Sequence, residues 1–522
     1  MNSPPPDASA ASPYAAFASH DARFDGRLFV GVTSTGVYCR PVCRVRTPRV
    51  ANCRFFGHPA AAEAAGFRPC LRCRPELAPG LAPIDMPERL AWAAAQRIDA
   101  GELDAGGLNG LAARLGITDR HLRRVFGAAF GVTPVAYAQT QRLLLAKRLL
   151  TDSDLPATEV ALAAGFGSLR RFQALFQSRY GLAPTALRKS PVAAYAGEGG
   201  RSAPWAIELG YRPPLDWPRL LAFLAARCIP GVEAVEPAER TEPVGAPAGG
   251  AYHRTLALRD AAGRRCVGTV TLTPAPRRPG EPALRVQVSP GLWGVLPAVL
   301  AGARRLADLG ADPLAVSDRL GALAADAPGL RVPGCFDGFE LAVRAVLGQQ
   351  VTVRAAHTLA GRLVAALGEP LDPPEPGGLG GGRPAALTHI FPSAEALAAA
   401  APEALGALGI VRQRVAAIQA LARAVAEGRL DLGPAGDVDA ALQRLMALPG
   451  IGPWTAQYIA LRALAWPDAW PSGDVALIKA LGAVSAREAD AMAQAWRPWR
   501  GYATLQLWRR LAEGAPAWKE TT

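Results

Sequence analysis

Leu448-Pro449-Gly450-Ile451-Gly452-Pro453-Trp454-Thr455-Ala456 ends one helix and begins another. Two glycines one residue apart permit a tight hairpin, and a proline suits the first position of the following helix. Backbone N–H groups at such a turn and helix start, here around Gly450, Gly452 and Thr455, hold a DNA phosphate without sequence preference. Twenty-two residues after Gly452 comes Pro471-Ser-Gly-Asp474-Val-Ala-Leu-Ile-Lys. Taken alone, an aspartate before an apolar helix is an N-cap. Beside a DNA-binding hairpin it is also a candidate functional carboxylate.

The surrounding region, from about 315 to 515, has helical periodicity throughout. One Pro/Gly-rich stretch, 369–382, interrupts it and is expected to be a flexible surface loop. Residues 205–314 mix strand and helix. Arg254-Thr-Leu-Ala-Leu-Arg, Val267-Gly-Thr-Val-Thr-Leu and Leu284-Arg-Val-Gln-Val alternate and predict antiparallel strands. Residues 191–204 are rich in Ala, Gly and Ser and read as a linker.

Residues 84–190 are helical and contain an internal repeat. Leu111 to Phe126 reads as helix, turn at Gly116, cap at Thr118 and a second helix carrying Arg120, His121, Arg123 and Arg124. Val160 to Phe172 repeats the plan, with Gly165 at the turn, Ser168 as cap, then Arg170 and Arg171. Both units end alike, in Phe130-Gly-Val-Thr-Pro and Tyr180-Gly-Leu-Ala-Pro. Capped turns also occur in ordinary helical bundles, but the repeated ending favours two helix-turn-helix units whose arginines face a major groove. The pair resembles the AraC-type DNA-binding domain, in which a long helix, here about Pro134–Leu150, joins the two units.

Residues 17–80 carry Cys39-x3-Cys43 and Cys70-x2-Cys73, two close pairs separated by 26 residues. Four thiolates at this spacing suit one tetrahedral Zn2+. A purely structural zinc is the simpler reading, yet the flanking arginines suit a phosphate backbone. Cys53, Cys228, Cys266 and Cys335 show no pairing pattern and read as buried small hydrophobes, with Cys53 an alternative ligand.

The chain has 522 residues, half of them hydrophobic, enough for three or four domains. Net charge is +13, and residues 1–190 hold 24 basic and 14 acidic residues of it. The remaining 33 basic and 30 acidic residues nearly balance, so the basic excess belongs to the first third. Nucleic acid is its natural partner, although an arginine-rich proteome gives a similar excess. No run of about 18 uncharged apolar residues predicts a membrane span. Residues 1–16 lack the pattern of a signal peptide and read as a disordered lead. A reducing cytoplasm is therefore expected, where cysteines favour metal over disulfides.

Gly36-Val-Tyr-Cys39-Arg-Pro-Val-Cys43-Arg and Ala64-Ala-Gly-Phe-Arg-Pro-Cys70-Leu-Arg-Cys73 resemble the N-terminal domain of the adaptive-response regulator Ada. That resemblance implies that Cys39 accepts a methyl group from a DNA methylphosphotriester, with Cys43, Cys70 and Cys73 as the other zinc ligands. The methyltransferase motif Pro-Cys-His-Arg of that regulator does not occur in the sequence. Reversal of O6-methylguanine is accordingly not expected.

The hairpin paired with Asp474 resembles the helix-hairpin-helix DNA glycosylases. Leu215-Asp-Trp-Pro-Arg-Leu-Leu-Ala-Phe223, Ala345-Val-Leu-Gly-Gln-Gln-Val and Trp496-Arg-Pro-Trp499-Arg-Gly-Tyr502-Ala…Trp508 extend the likeness to 3-methyladenine DNA glycosylase II. The resemblance implies that Asp474 stabilises an oxocarbenium-like sugar or positions water. It implies that Trp454, Tyr458, Trp508 and Phe223 line a pocket for a base turned out of the duplex. For Trp496 and Trp499, core packing is the expected role. Gln350 stands where the best-known member inserts a leucine into the duplex. Trp454 occupies the place of the Schiff-base lysine of bifunctional relatives, so a monofunctional enzyme is expected. No cysteine follows Cys335, so the iron–sulfur cluster of some relatives is not expected.

The fold class that follows is multidomain and mainly α. A small zinc-bound α+β domain (17–80) precedes an all-α double helix-turn-helix domain (84–190). An α+β glycosylase N-terminal domain (205–314) and an all-α helix-hairpin-helix glycosylase domain (315–515) follow. The expected function is excision of alkylated bases, combined with methyl-activated transcription regulation. The expected partners are double-stranded DNA and RNA polymerase, acting with a monomer and without a membrane. One Zn2+ held by four cysteines is the expected cofactor. The alternative is a non-enzymatic regulator whose glycosylase half only binds damage.

Overall fold

The computed structural model describes residues 11–20, 24, 28–41, 43, 45–73, 75, 89–153, 155–187, 206–237, 249–275, 282–371, 384–434 and 437–518. The predicted linker and nearly all of the predicted Pro/Gly loop lie outside them. Among the described residues no helix is long and apolar enough to cross a membrane.

The first body is a four-stranded sheet in the order Cys53–Phe56, Phe29–Val32, Val37–Cys39, Arg68–Pro69. The last pair is parallel, and the Cys70 amide donates to Tyr38 O at 3.0 Å. This pairing carries the two cysteine pairs to one end of the sheet. Part of the expected disordered lead is in fact helical: Ala11–Ala18 forms a helix whose Ala16 and Phe17 are buried with the cysteines. Those apolar side chains complete a core too small to close without them.

The second body contains both predicted helix-turn-helix units. Glu102–Arg114 and Asp119–Phe130 flank Gly116 at φ 72°, and Ala157–Ala163 and Leu169–Tyr180 flank Gly165 at φ 82°. Thr118 and Ser168 each accept the amide three residues on, at 3.2 Å. The helix Pro134–Asp152 joins the units.

The third body is a five-stranded sheet ordered Ala206–Gly210, Ala283–Val288, Arg265–Pro274, Ala251–Arg259, Glu233–Glu236. All neighbours are antiparallel, and the three predicted strands are its centre. The fourth body is helical and holds the largest core. It is not wholly helical: Glu369–Pro370 pairs with His389–Ile390 as a short ribbon. Two-residue strands leave no readable alternation.

The bodies are packed together by buried side chains. His58 of the zinc body packs on Phe130 and Tyr137, with ring centroids 5.3 and 5.1 Å apart. The buried Glu63 carboxylate accepts from Tyr38 Oη (3.1 Å) and Tyr180 Oη (3.4 Å), and Arg179 donates to Glu63 O (3.1 Å). Apolar residues of the second helix-turn-helix unit share one core with the five-stranded sheet. Arg97, 3% exposed, pairs with Glu102 and Asp431 at 2.9 Å and donates to Pro434 O.

A cavity of about 310 Å³ lies where the bodies meet. His58, Trp92, Asp99, Tyr137, Arg304 and Tyr502 are among its lining, and none of the sequence-predicted site residues is. Burial pushes the Asp99 carboxyl up to about 7, against the pull of Arg304 and the Tyr137 hydroxyl. Asp99 therefore favours the folded state fully only at acid pH, and that contribution is lost as pH rises towards 7. Asp99→Asn removes this loss. In thermal unfolding the variant's advantage over wild type is expected to widen from pH 4 to pH 7 and then level off.

Candidate functional site

The helix Pro453–Arg462 starts directly after the hairpin, with Gly450 at φ 75°. A Cβ on Gly450 would meet Ala417 Cβ at 3.0 Å, whereas one on Gly452 would meet nothing within 4 Å. Gly450 therefore serves the turn, and Gly452 keeps a face open for close approach. No side chain caps this helix, so its first amides are free to face an anion. Thr455 departs from expectation in one respect. Its hydroxyl is buried and accepts from Gln349 Nε2 at 2.9 Å, while the same Nε2 donates to Gly450 O at 2.8 Å. Its side chain braces the hairpin and is not open to a ligand.

That brace matters for Gln350. The residue is exposed, at φ 52°, in the turn between the helices Gly338–Leu347 and Val353–Leu367. A non-glycine residue held left-handed costs free energy that the surrounding structure must offset. Gln349 beside it and the Arg414 guanidinium on Gln349 O fix the turn.

Asp474 caps a helix and meets two of the predicted pocket residues. Its carboxylate accepts the Leu477 amide at 2.9 Å, capping the helix Val475–Leu481. Oδ2 also accepts from Trp454 Nε1 at 2.7 Å, and Oδ1 from Trp508 Nε1 at 3.3 Å. Trp454 and Tyr458, one turn apart, stack with centroids 5.4 Å apart and planes 10° apart. Tyr458 and Trp508 lie 6.3 Å apart at 41°. Phe223, on the helix Trp217–Ala225, reaches the same place from the third body, since Arg462 lies over both its ring and that of Tyr458. The predicted pocket residues are therefore brought together, with one carboxylate at their edge. Trp496 and Trp499 are buried in the core, as expected.

The sequence reading missed what stands behind the aromatic wall. Arg462 Nη1 donates to Tyr458 Oη at 2.8 Å, and the Arg227 guanidinium lies 3.8 Å from the Phe223 ring centroid. Burial pushes the Tyr458 phenol up, but Arg462 and Arg227 outweigh it and hold the phenol below its ordinary value. The i, i+4 spacing of Tyr458 and Arg462, and of Phe223 and Arg227, is the one signal that was available.

In the first body, one sulfur from each of Cys39, Cys43, Cys70 and Cys73 lies within 4.8 Å of the others, and all four residues are buried. Zn–S bonds of about 2.3 Å put tetrahedral sulfurs about 3.8 Å apart, so the donor set fits zinc. The Arg40 amide donates to Cys73 Sγ at 3.4 Å. Among the described residues no other group of three or more ligands gathers, and Cys53 stays outside this one. Cys335 is buried as expected, but Cys53, Cys228 and Cys266 are only half-buried, Cys53 and Cys266 at the starts of strands and Cys228 just past the helix Trp217–Ala225.

On the recognition helices Arg120, Arg123, Arg124, Arg170 and Arg171 are exposed, while Leu122, Phe126, Phe172 and Phe176 are buried. His121 is half-buried and bonded to Arg124 at 3.2 Å. Each helix thus presents a basic face.

Four family models match the chain. They are the metal binding domain of Ada over residues 12–76, a helix-turn-helix domain over 111–190, the AlkA N-terminal domain over 206–337, and the HhH-GPD superfamily of base excision DNA repair proteins over 343–467. The third runs past the expected boundary at 314. The probable bifunctional transcriptional activator/DNA repair enzyme AlkA of Mycobacterium tuberculosis H37Rv is 40% identical over 515 residues, 97% of each chain. DNA-3-methyladenine glycosylase 2 of Escherichia coli K12 is 38% identical over 301 residues, 58% of this chain and 95% of that protein. The bifunctional transcriptional activator/DNA repair enzyme Ada of the same organism is 34% identical over 148 residues, 28% of this chain and 40% of that protein.

Proposed function

Because the chain belongs to the family of the bifunctional transcriptional activator/DNA repair enzyme AlkA, we propose that it excises alkylated bases of the 3-methyladenine type and regulates transcription in response to DNA methylation. The observation that carries the enzyme reading is Asp474, whose carboxylate is held by two indole N–H groups at the edge of a cluster of aromatic rings. A base alkylated on a ring nitrogen is cationic, stacks well on electron-rich rings and is already a good leaving group. The C1′–N bond breaks with its electrons going to the base. The carboxylate stabilises the positive sugar, and water adds to C1′ and loses a proton. Gly450, Gly452 and the Thr455 amide hold a phosphate, and Gln350 fills the gap left in the duplex. With Trp454 where a lysine would form a Schiff base, the strand is left uncut. Incubation with a panel of alkylated duplexes tests this reading: release of free base supports it, and binding without release overturns it.

Cys39, Cys43, Cys70 and Cys73 hold one zinc, which keeps the thiols deprotonated when bound. Cys39 Sγ takes the methyl of a methylphosphotriester; the C–O bond breaks and the phosphate keeps the electron pair. The formal charge of the ligated set falls from about −2 to about −1, and repulsion from DNA weakens. Metal analysis is expected to give one zinc per chain, with a marked loss in Cys70→Ser. The recognition helices read a promoter, and the protein acts as a monomer that contacts RNA polymerase in the reducing cytoplasm. Arg124→Ala is expected to weaken promoter binding and to lower its salt slope by about one.

A further inference from the structure

Arg227 and Arg462 differ from the other arginines in contact with this region. Arg344 pairs with Glu233 and Glu340 at 2.9 and 3.0 Å, and Arg254 with Glu340 at 2.6 Å. Arg462, 5% exposed, instead donates to Pro333 O (2.7 Å), Gly334 O (3.3 Å) and Tyr458 Oη (2.8 Å). Arg227 donates to Phe223 O at 3.2 Å, and Arg344 donates to Arg227 O. Among the described residues neither Arg227 nor Arg462 meets a carboxylate. Both guanidiniums sit against rings of the pocket: Arg227 is 3.8 Å from the Phe223 centroid, and Arg462 is 5.1 Å from Phe223 and 5.6 Å from Tyr458. Two positive charges without a carboxylate partner thus lie against the aromatic rings of the predicted pocket.

A pocket built only to attract cationic bases gains nothing from such charges. They oppose a positive base through the ring and use up part of the ring's negative face. Their value depends on how charge moves when the bond breaks. A cationic base leaves neutral, so nearby positive charge disfavours the bound state more than the transition state. A neutral base takes the bonding electrons and leaves with negative charge on its ring until it gains a proton, and nearby positive charge stabilises that departure directly. We propose that Arg227 and Arg462 are specificity-determining residues that set the balance between neutral and cationic damaged bases. They act through Phe223 and Tyr458 and favour those that leave as anions. This rests on the glycosylase reading above.

The effect is read as a ratio of second-order release constants, measured in single turnover with protein well below saturation, so that the binding of each base counts together with its departure. Full-length protein is given two duplexes of equal sequence, one holding 7-methylguanine, which is cationic, and one holding hypoxanthine, a neutral purine. In Arg227→Met the rate for hypoxanthine, relative to that for 7-methylguanine, is expected to fall about tenfold. Arg227→Lys and Arg462→Lys, which keep the charge, are expected to hold the ratio near the wild-type value. Arg227 is half-buried, so its variant is the one least exposed to folding defects, and its unfolding midpoint is measured alongside. Equal loss on both duplexes, or an unchanged ratio, means a purely structural role and overturns the inference. Wild-type release of 7-methylguanine without hypoxanthine overturns it too. Release of neither base removes the glycosylase reading itself, which separates the two failures.

Discussion

Asp474→Asn is expected to lower the rate of base release from alkylated duplex by about 10³-fold while DNA binding changes little. The geometry argues for a loss confined to the chemical step. An asparagine Oδ1 still accepts the Leu477 amide and the Trp508 N–H, so the cap on Val475–Leu481 survives, while Nδ2 in the place of Oδ2 leaves the Trp454 N–H without its acceptor. The larger loss is the negative charge, and only the transition state, with its positive sugar, draws on it. The loss therefore falls on kcat and leaves KM nearly unchanged. Because Asp474 is 9% exposed, little water competes for that charge. A drop in both binding and release would mean that Asp474 acts only as the helix cap. Equal release by variant and wild type would remove it from the reaction.

The second large effect concerns Cys39. After incubation with DNA carrying methylphosphotriesters, the wild-type protein is expected to gain one methyl, located by mass spectrometry on Cys39. Promoter affinity is expected to rise about tenfold, with a marked salt dependence. Cys39→Ser should acquire no methyl and show no such rise. The packing supports a route for the signal. Tyr38, next to Cys39, bonds Glu63, and Glu63 meets Tyr180 and Arg179 at the end of the second recognition helix. A methyl found on Cys43, Cys70 or Cys73, or a methylated protein with unchanged affinity, would refute the assignment.

Much of this was legible locally. The Gly450–Gly452 turn, the caps at Thr118 and Ser168, and the cysteine spacing are short-range requirements of backbone and ligand geometry. Each is written in adjacent residues. Asp474 was legible as a cap from its neighbours and as a candidate functional carboxylate only from its distance to the hairpin. The rest depends on pairings distant in sequence. Nothing near Thr455 announces that Gln349, 106 residues earlier, buries its hydroxyl. Nothing near Arg227 announces that it stands beside Arg462 behind one pocket, because that meeting requires the third and fourth bodies to pack. Residues 11–16 of the helix Ala11–Ala18 fall in the expected lead because its apolar residues matter only against a core that the cysteines close. The core shared by the second helix-turn-helix unit and the five-stranded sheet was invisible for the same reason.

The most direct test of the account is the product of the wild-type protein acting on a methylated duplex. Free methylated base should appear by chromatography, in step with abasic sites, in a strand that stays intact until treated with alkali. A duplex that is bound and loses no base would contradict the account and leave a regulator that only recognises damage.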